Sequence, residues 1–305
     1  MLVQSHPLVV ACRVAGNGYV SVYKTPRTRD RLLEYYDRVL RNWPIPCEER
    51  CLESRSGTTH ILLCGKEGAR PLLLFHGTGN NCLMWRYNVA QLGEHFRLHL
   101  IDTINDPGKS EASREFDAET DYTSWTTEVL DALGVGKALL VGHSKGGWIV
   151  LNAVVNAPER VERIVLLAPA VGINSRLSPT FMRRSLRLGL FPTKRAVESY
   201  LRYMSGPGAT ISAEYASYLS KVIRGTKHRI IKHRQFSDDE LGRIGCPVLL
   251  VFGDREVCVE YGKVVERARA LIKGIDVQIV PGTGHALQGE KPETVNKLII
   301  DHLTA

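Results

Sequence analysis

The 305-residue chain has no apolar run approaching the roughly 18 residues that a membrane-crossing helix needs, which excludes a helical span. It has no CxxC spacing, and its cysteines are few and odd in number: Cys12, Cys47, Cys51, Cys64, Cys82, Cys246 and Cys258. Scattered in this way they predict neither a disulfide framework nor a zinc site, and most read as small core hydrophobes. The first residues, "MLVQSHPLVVACRVAG", have no basic residue ahead of their apolar part, and Arg13 interrupts that part. They make a poor secretory signal, so the cytoplasm is the expected location. Internal repeats, low-complexity tracts, a Walker A pattern and the signatures of nucleic-acid-binding modules are all missing. Gly77 and Gly79 fall short of a dinucleotide fingerprint because Cys82 stands where its third glycine belongs.

One segment lacks acid. Between Gly172 and Ser237 there are 2 Asp or Glu against 13 Lys or Arg, while the whole chain carries only +8. The remainder is therefore slightly acidic, and the basicity belongs to one place. Its plainest reading is a solvated face of arginine-rich helices; the alternatives are an electropositive entrance for acidic substrates or a weak nucleic-acid or membrane patch.

What is present is alternation. With 44% hydrophobic residues the chain can bury a large core, and its length suits one α/β domain with an insertion. Residues 1–26 carry little pattern and read as a lead-in. After Pro26, Leu32, Leu33, Tyr36, Val39, Leu40 and Trp43 recur at helical spacing. "CEERCLES" and "GTTHILLCG" read as an antiparallel pair of strands. The runs "RPLLLFHG", "FRLHLID", "KALLVG", "VERIVLLAPA", "CPVLLVFG" and "DVQIVPG" read as buried parallel strands separated by helices, eight strands in all. The helix "DYTSWTTEVLDALGVG" has Asp121 as its expected N-cap. Residues 27–170 and 241–305 form the expected core. Residues 171–240 break the alternation with amphipathic helices punctuated by Pro179, Pro192 and "SGPGA", and are too long for a bare loop; they predict a helical cap over the sheet.

Chemistry concentrates at "LLVGHSKGGWIVL". A strand runs into a helix through Gly142-His143-Ser144-Lys145-Gly146, the G-x-S-x-G pattern in which a sharp turn holds a serine hydroxyl clear of the sheet. A serine N-cap would give a similar string. The nucleophile reading gains from the rest of the chain, because serine needs a base, and His285 follows a late strand in a glycine-rich loop. The base needs a carboxylate, and both Asp254 and Glu256 leave the preceding strand; residue physics alone leaves the two open. Backbone N–H groups for a developing oxyanion are expected from Lys145, at the helix start, and from Thr78 in "HGTGNN". His143 and His76 read as structural. The Lys145 side chain is read as a solvated group, with contact to an anionic substrate as the alternative.

The segments "FHGTGNN", "GHSKGG", "FGDREV" and "PGTGHALQGEKPE", in that order, resemble the α/β-hydrolase superfamily from about Leu32 to the C-terminus. "IDTINDPGKSEAS", "TDYTSWTTEVLDALGVGKALLVGHSKGG" and "FSDDELGRIGCPVLLVFGDREV" resemble more narrowly a bacterial carboxylesterase-type subgroup. The resemblance implies an α/β-hydrolase fold, a mostly parallel eight-stranded sheet flanked by helices with a substrate-selecting cap. It also favours Glu256, three residues beyond Gly253, over Asp254. Two departures stand out: "NDPGKS" replaces the family's D-x-P-G-x-G-x-S loop, and Lys145 replaces an apolar residue or glutamine. The expectation is a serine esterase of small to medium organic substrates with the triad Ser144, His285 and Glu256, and with Gly77, Gly79 and Trp85 touching substrate. A C–C bond hydrolase, lactonase, thioesterase or acyltransferase would use the same triad, and a non-catalytic small-molecule receptor could keep the scaffold. No cofactor, metal or nucleic-acid partner is expected; a homodimer is left open.

Overall fold

Residues 72–75, 138–141, 164–167 and 248–252 offer water no polar face, and each run is buried in the middle of a sheet. This computed structural model describes residues 19–116, 119–169, 171–174, 176–227 and 234–305. Its strands are β1 (Cys47–Ser54), β2 (Gly57–Gly65), β3 (Pro71–Phe75), β4 (Arg97–Ile101), β5 (Glu111–Ala112), β6 (Ala138–His143), β7 (Val161–Leu167), β8 (Val248–Gly253) and β9 (Asp276–Val280). They form one sheet in the order β1-β2-β4-β3-β6-β7-β8-β9, with β5 paired to β2. The sheet thus has nine strands, not eight; the extra one is only two residues long. Pairing is antiparallel where β2 meets β1, β4 and β5, and parallel from β4 through β9.

The helices are α1 (Pro26–Leu40), α2 (Val89–Gly93), α3 (Glu119–Ala132), α4 (Lys145–Asn156), α5 (Pro179–Leu190), α6 (Lys194–Met204), α7 (Ala213–Gly225), α8 (Asp238–Gly242), α9 (Tyr261–Leu271), α10 (Leu287–Glu290) and α11 (Pro292–Thr304). No helix among the described residues is long and apolar enough to cross a membrane. Helix α3 begins at Glu119, so Asp121 lies inside its first turn, ion-paired with Arg114, rather than at its N-cap. Helices α5, α6 and α7 and the short α8 lie between β7 and β8, the first three packed on one another. Those three share a small core of Leu188, Val197 and Ala216.

Of the expected lead-in, residues 1–18 lie outside the described residues. The next few are firmly packed: Val20 bridges Ala112, Tyr23 bridges Thr226, and the Tyr23 hydroxyl donates to the Gly108 carbonyl at 2.8 Å. Val22, Tyr23 and Leu32 join Tyr218 and Val222 in a second cluster, with Tyr35 stacked on Tyr218 at 4.0 Å. The segment ahead of α1 therefore straps α7 to the core. Cys47, Cys64, Cys82, Cys246 and Cys258 are free thiols, whereas Cys51 is disulfide-bonded, contrary to expectation.

A buried polar knot anchors the loop after β4. Asp102 accepts from Cys82 N and Lys109 N at 2.8 Å, and from the Tyr36 hydroxyl at 3.3 Å. His60 lies between two carboxylates, with Nδ1 3.0 Å from Asp102 and Nε2 2.9 Å from Glu49. Lys109 bridges Glu49 and Asp37. Burial alone would lower the His60 pKa, but the hydrogen bonds and charges of Asp102 and Glu49 outweigh it and raise the value. The same bonds hold Glu49 down at about 2.

Candidate active site

Ser144 sits between β6 and α4 at φ 52°, ψ −111°, a left-handed backbone that costs a serine about 1–3 kcal/mol. Three contacts hold it there. Its amide donates to the Leu167 carbonyl at 2.9 Å. Helix α4 crosses β3 so closely that a Cβ on Gly146 would lie 2.1 Å from the Phe75 carbonyl oxygen. Gly77 runs past the elbow, where a Cβ would come 2.8 Å from His143 Nδ1 and 3.4 Å from Ser144 Cβ. The side chain makes no cap hydrogen bond to the helix it precedes.

The loop after β9 carries His285, and its Nδ1 lies 2.7 Å from Glu256 Oε2. Glu256 comes from the loop after β8, and its other oxygen accepts from Cys258 N at 2.6 Å. Burial pushes the Glu256 pKa up, yet the His285 charge and hydrogen bond and the Cys258 amide more than offset this and leave it below the ordinary carboxylate value. Asp254 instead accepts from Gly282 N at 2.7 Å, bracing the histidine loop without touching the imidazole. His285 is 7% exposed, and its amide donates to the Met204 carbonyl at the end of α6. Glu290 of α10 accepts from Gly206 N at 2.7 Å and from Gly284 N at 3.1 Å, stapling that loop to the turn between α6 and α7. Among the described residues Ser144 and His285 make no direct hydrogen bond. His143 links them: it adjoins Ser144, and its Nε2–H donates to the His285 carbonyl at 2.8 Å. Burial and the nearby His285 lower the His143 pKa to about 3, so it stays neutral.

The Lys145 side chain corrects the sequence reading. It is neither solvated nor offered to a substrate: it is buried, with Nζ 2.7 Å from Asp106 Oδ2 and 5.3 Å from the Tyr122 ring centroid. Burial alone would depress its pKa; Asp106 and Tyr122 overcome this and raise it, so the ammonium persists. The other oxygen of Asp106 accepts from Gly79 N at 2.8 Å. One carboxylate thus ties the elbow to the Gly77–Gly79 turn. Thr78, at the tip of that turn, is exposed. As the first residue of α4, Lys145 has an amide with no intrahelical acceptor. His76 accepts from Thr103 N on Nε2 at 2.9 Å and so donates from Nδ1 to the Gly77 carbonyl, anchoring the same turn.

Trp85 departs from its expected place beside a substrate. It ends a short 3₁₀ turn and is wholly enclosed in the main core. A cavity of about 820 Å³ opens next to Glu256, and Arg202 and Arg255 share its wall with Asp254 and Glu256, so its charge is balanced rather than basic. Among the described residues two trios, His60–Cys82–Asp102 and Glu256–Cys258–His285, bring ligating atoms within 4.8 Å. In both, imidazole and carboxylate already hydrogen-bond each other, and burial keeps the Cys82 and Cys258 thiols protonated, so neither is a ready metal site. Sequence reasoning missed Asp106 and Glu290. The only signal for Asp106 was its presence in a divergent loop alongside an anomalous Lys145.

The parallel sheet, with a strained serine between a central strand and its following helix, defines an α/β-hydrolase. Residues 72–298 match the Alpha/beta hydrolase family, and the chain belongs to that family. It is 33% identical to carboxylesterase YbfK of Bacillus subtilis (strain 168) over 283 residues, 90% of this chain and 93% of that protein. The crystal structure of the same carboxylesterase, CesB (YbfK), superposes with a TM-score of 0.83 over 91% of this chain and 98% of that one. The naproxen esterase (carboxylesterase NP) of Bacillus subtilis has a TM-score of 0.83 at 27% identity, covering 91% of this chain and 99% of its own.

Proposed function

We propose that this hydrolase cleaves carboxylic esters of small to medium organic molecules through an acyl-enzyme on Ser144. The observation that carries the reading is the 2.7 Å contact from His285 Nδ1 to a buried Glu256, which orients the imidazole and leaves Nε2 to accept a proton. Ser144 Oγ attacks the ester carbonyl as His285 takes its proton. The amides of Thr78 and Lys145 hold the oxyanion, and His285 returns the proton to the leaving alcohol. Water then repeats the cycle on the acyl-enzyme. Glu256 stabilises the imidazolium in both halves. The relatives' names, a carboxylesterase and a naproxen esterase, support the ester as the bond cleaved. In this reading α5–α7 form the cap that selects the substrate.

A fluorophosphonate probe should form one adduct, on Ser144, and Ser144→Ala should lose both the adduct and hydrolysis of p-nitrophenyl esters. An unlabelled but folded wild-type protein would sink the proposal. Profiling acyl chain length beside lactone and thioester panels then identifies the preferred bond.

A further inference from the structure

Helix α5 has two faces of unusual character. Its inner face packs on the rest of the insertion: Leu188 lies in the small core, and Ser185 Oγ is 2.8 Å from the Tyr200 hydroxyl. Its outer face repeats Met182, Leu186 and Leu190 at intervals of four, followed directly by Phe191, and these are 49%, 67%, 66% and 66% exposed. Of the seven exposed large hydrophobics among the described residues, four lie here. A helix that needed only solubility would carry charge at these positions.

The flank of the stripe is basic. Arg183 and Arg187, four apart, are exposed beside it, and Lys194 and Arg195 follow at the start of α6. Helix α5 contains no acidic residue, and from Gly172 to Ser237 there are 2 acidic residues against 13 basic ones. A second copy of the chain would bring an equally basic face against this one, and like charges would oppose the contact. A surface rich in negative charge with an apolar interior fits both halves of the pattern.

We propose that the outer face of α5 docks on an anionic lipid surface, with the apolar stripe entering the headgroup boundary and Arg183 and Arg187 pairing with lipid phosphates. Such docking sets the candidate active site near the membrane. Ser178, the N-cap of α5, donates from its amide to the Cys258 carbonyl at 2.7 Å, and Leu177 bridges Val259, just beyond Glu256. The inference stands whether or not the bond cleaved is an ester.

The test is co-sedimentation of the full chain with vesicles of phosphatidylcholine alone and of phosphatidylcholine mixed with phosphatidylglycerol, at low and high salt. The expected result is binding to the anionic vesicles only, weakened by salt. Leu186→Gln/Leu190→Gln/Phe191→Gln should abolish it. Arg183→Gln/Arg187→Gln should weaken it roughly twenty-five-fold, at about fivefold per basic residue. Both variants should keep wild-type thermal unfolding, so that loss of binding is not loss of fold. Equal binding to both vesicle types, or wild-type binding by the apolar variant, overturns the proposal. A dimer in solution that the same apolar substitutions disperse also overturns it, and assigns the face to a second copy.

Discussion

Glu256 and Asp254 stand two residues apart on one loop, yet one faces His285 and the other a backbone amide in the loop that carries it. Glu256→Gln should lower kcat by about 10⁴, the size of effect seen when a triad acid loses its charge. Asp254→Asn keeps an acceptor for Gly282 N and should change kcat only a few-fold; steady-state kinetics on both decide it, and the opposite ranking would exclude Glu256 as the orienting acid. Lys145 and Asp106 are a second residue-scale test. Removing one partner of a buried ion pair typically costs about 3–5 kcal/mol because the other charge stays desolvated. Lys145→Met should therefore be strongly destabilised in urea. Adding Asp106→Asn, which keeps an oxygen for Gly79 N, should recover much of the loss. Additive losses in the double variant would show that the pair is not coupled.

At the scale of elements, the histidine loop is held less by its own strand than by its neighbours. Glu290 in α10 accepts amides from both Gly206 and Gly284, so a short helix near the C-terminus fastens the inserted helices to the loop presenting His285. Glu290→Ala should lower kcat about tenfold to a hundredfold through misplacement of the base, with a smaller change in KM. Glu290→Gln should restore most of it; if Ala and Gln behave alike, the staple has no part in positioning. The presence and order of β1–β4 and β6–β9 were legible because apolar runs and a hairpin have few alternatives, although β7 ends at Leu167 and β8 begins at Val248, inside the runs that marked them. Strand β5 was not, since two residues carry no periodicity and pair only because β2 has a free stretch of edge beyond β4. Asp121 misled because an N-cap signal is local, whereas its ion pair with Arg114 and its burial in the first turn of α3 depend on other elements.

The whole molecule depends on the knot formed by His60, Asp102, Glu49, Tyr36 and Lys109, contributed by β1, β2, α1 and the loop after β4. Because the folded-state pKa of His60 is raised, its charged form stabilises the fold fully below the ordinary histidine value, and this contribution is lost as pH rises through the folded value. The stability gap between wild type and His60→Asn, read from urea midpoints, should shrink from pH 5 to pH 9; a gap independent of pH would mean that the fold does not raise the His60 pKa, and one that widened with pH that His60 is neutral in the fold. The carboxylates act with opposite sign: Glu49 and Asp102 have depressed values, and their contribution is lost only on acidification. The sequence by itself determined the class of fold, the serine elbow and the candidate base. Apolar runs, strand-to-helix turns and glycine-rich loops act over a few residues and are written consecutively in the chain. The family resemblance already favoured Glu256 as the acid; only the tertiary structure decided that Asp254 turns instead to Gly282 N, that Lys145 is buried against Asp106, and that Trp85 is core. Each of those depends on side chains from separate elements meeting in space, where burial leaves a charge no partner but the one the fold brings to it.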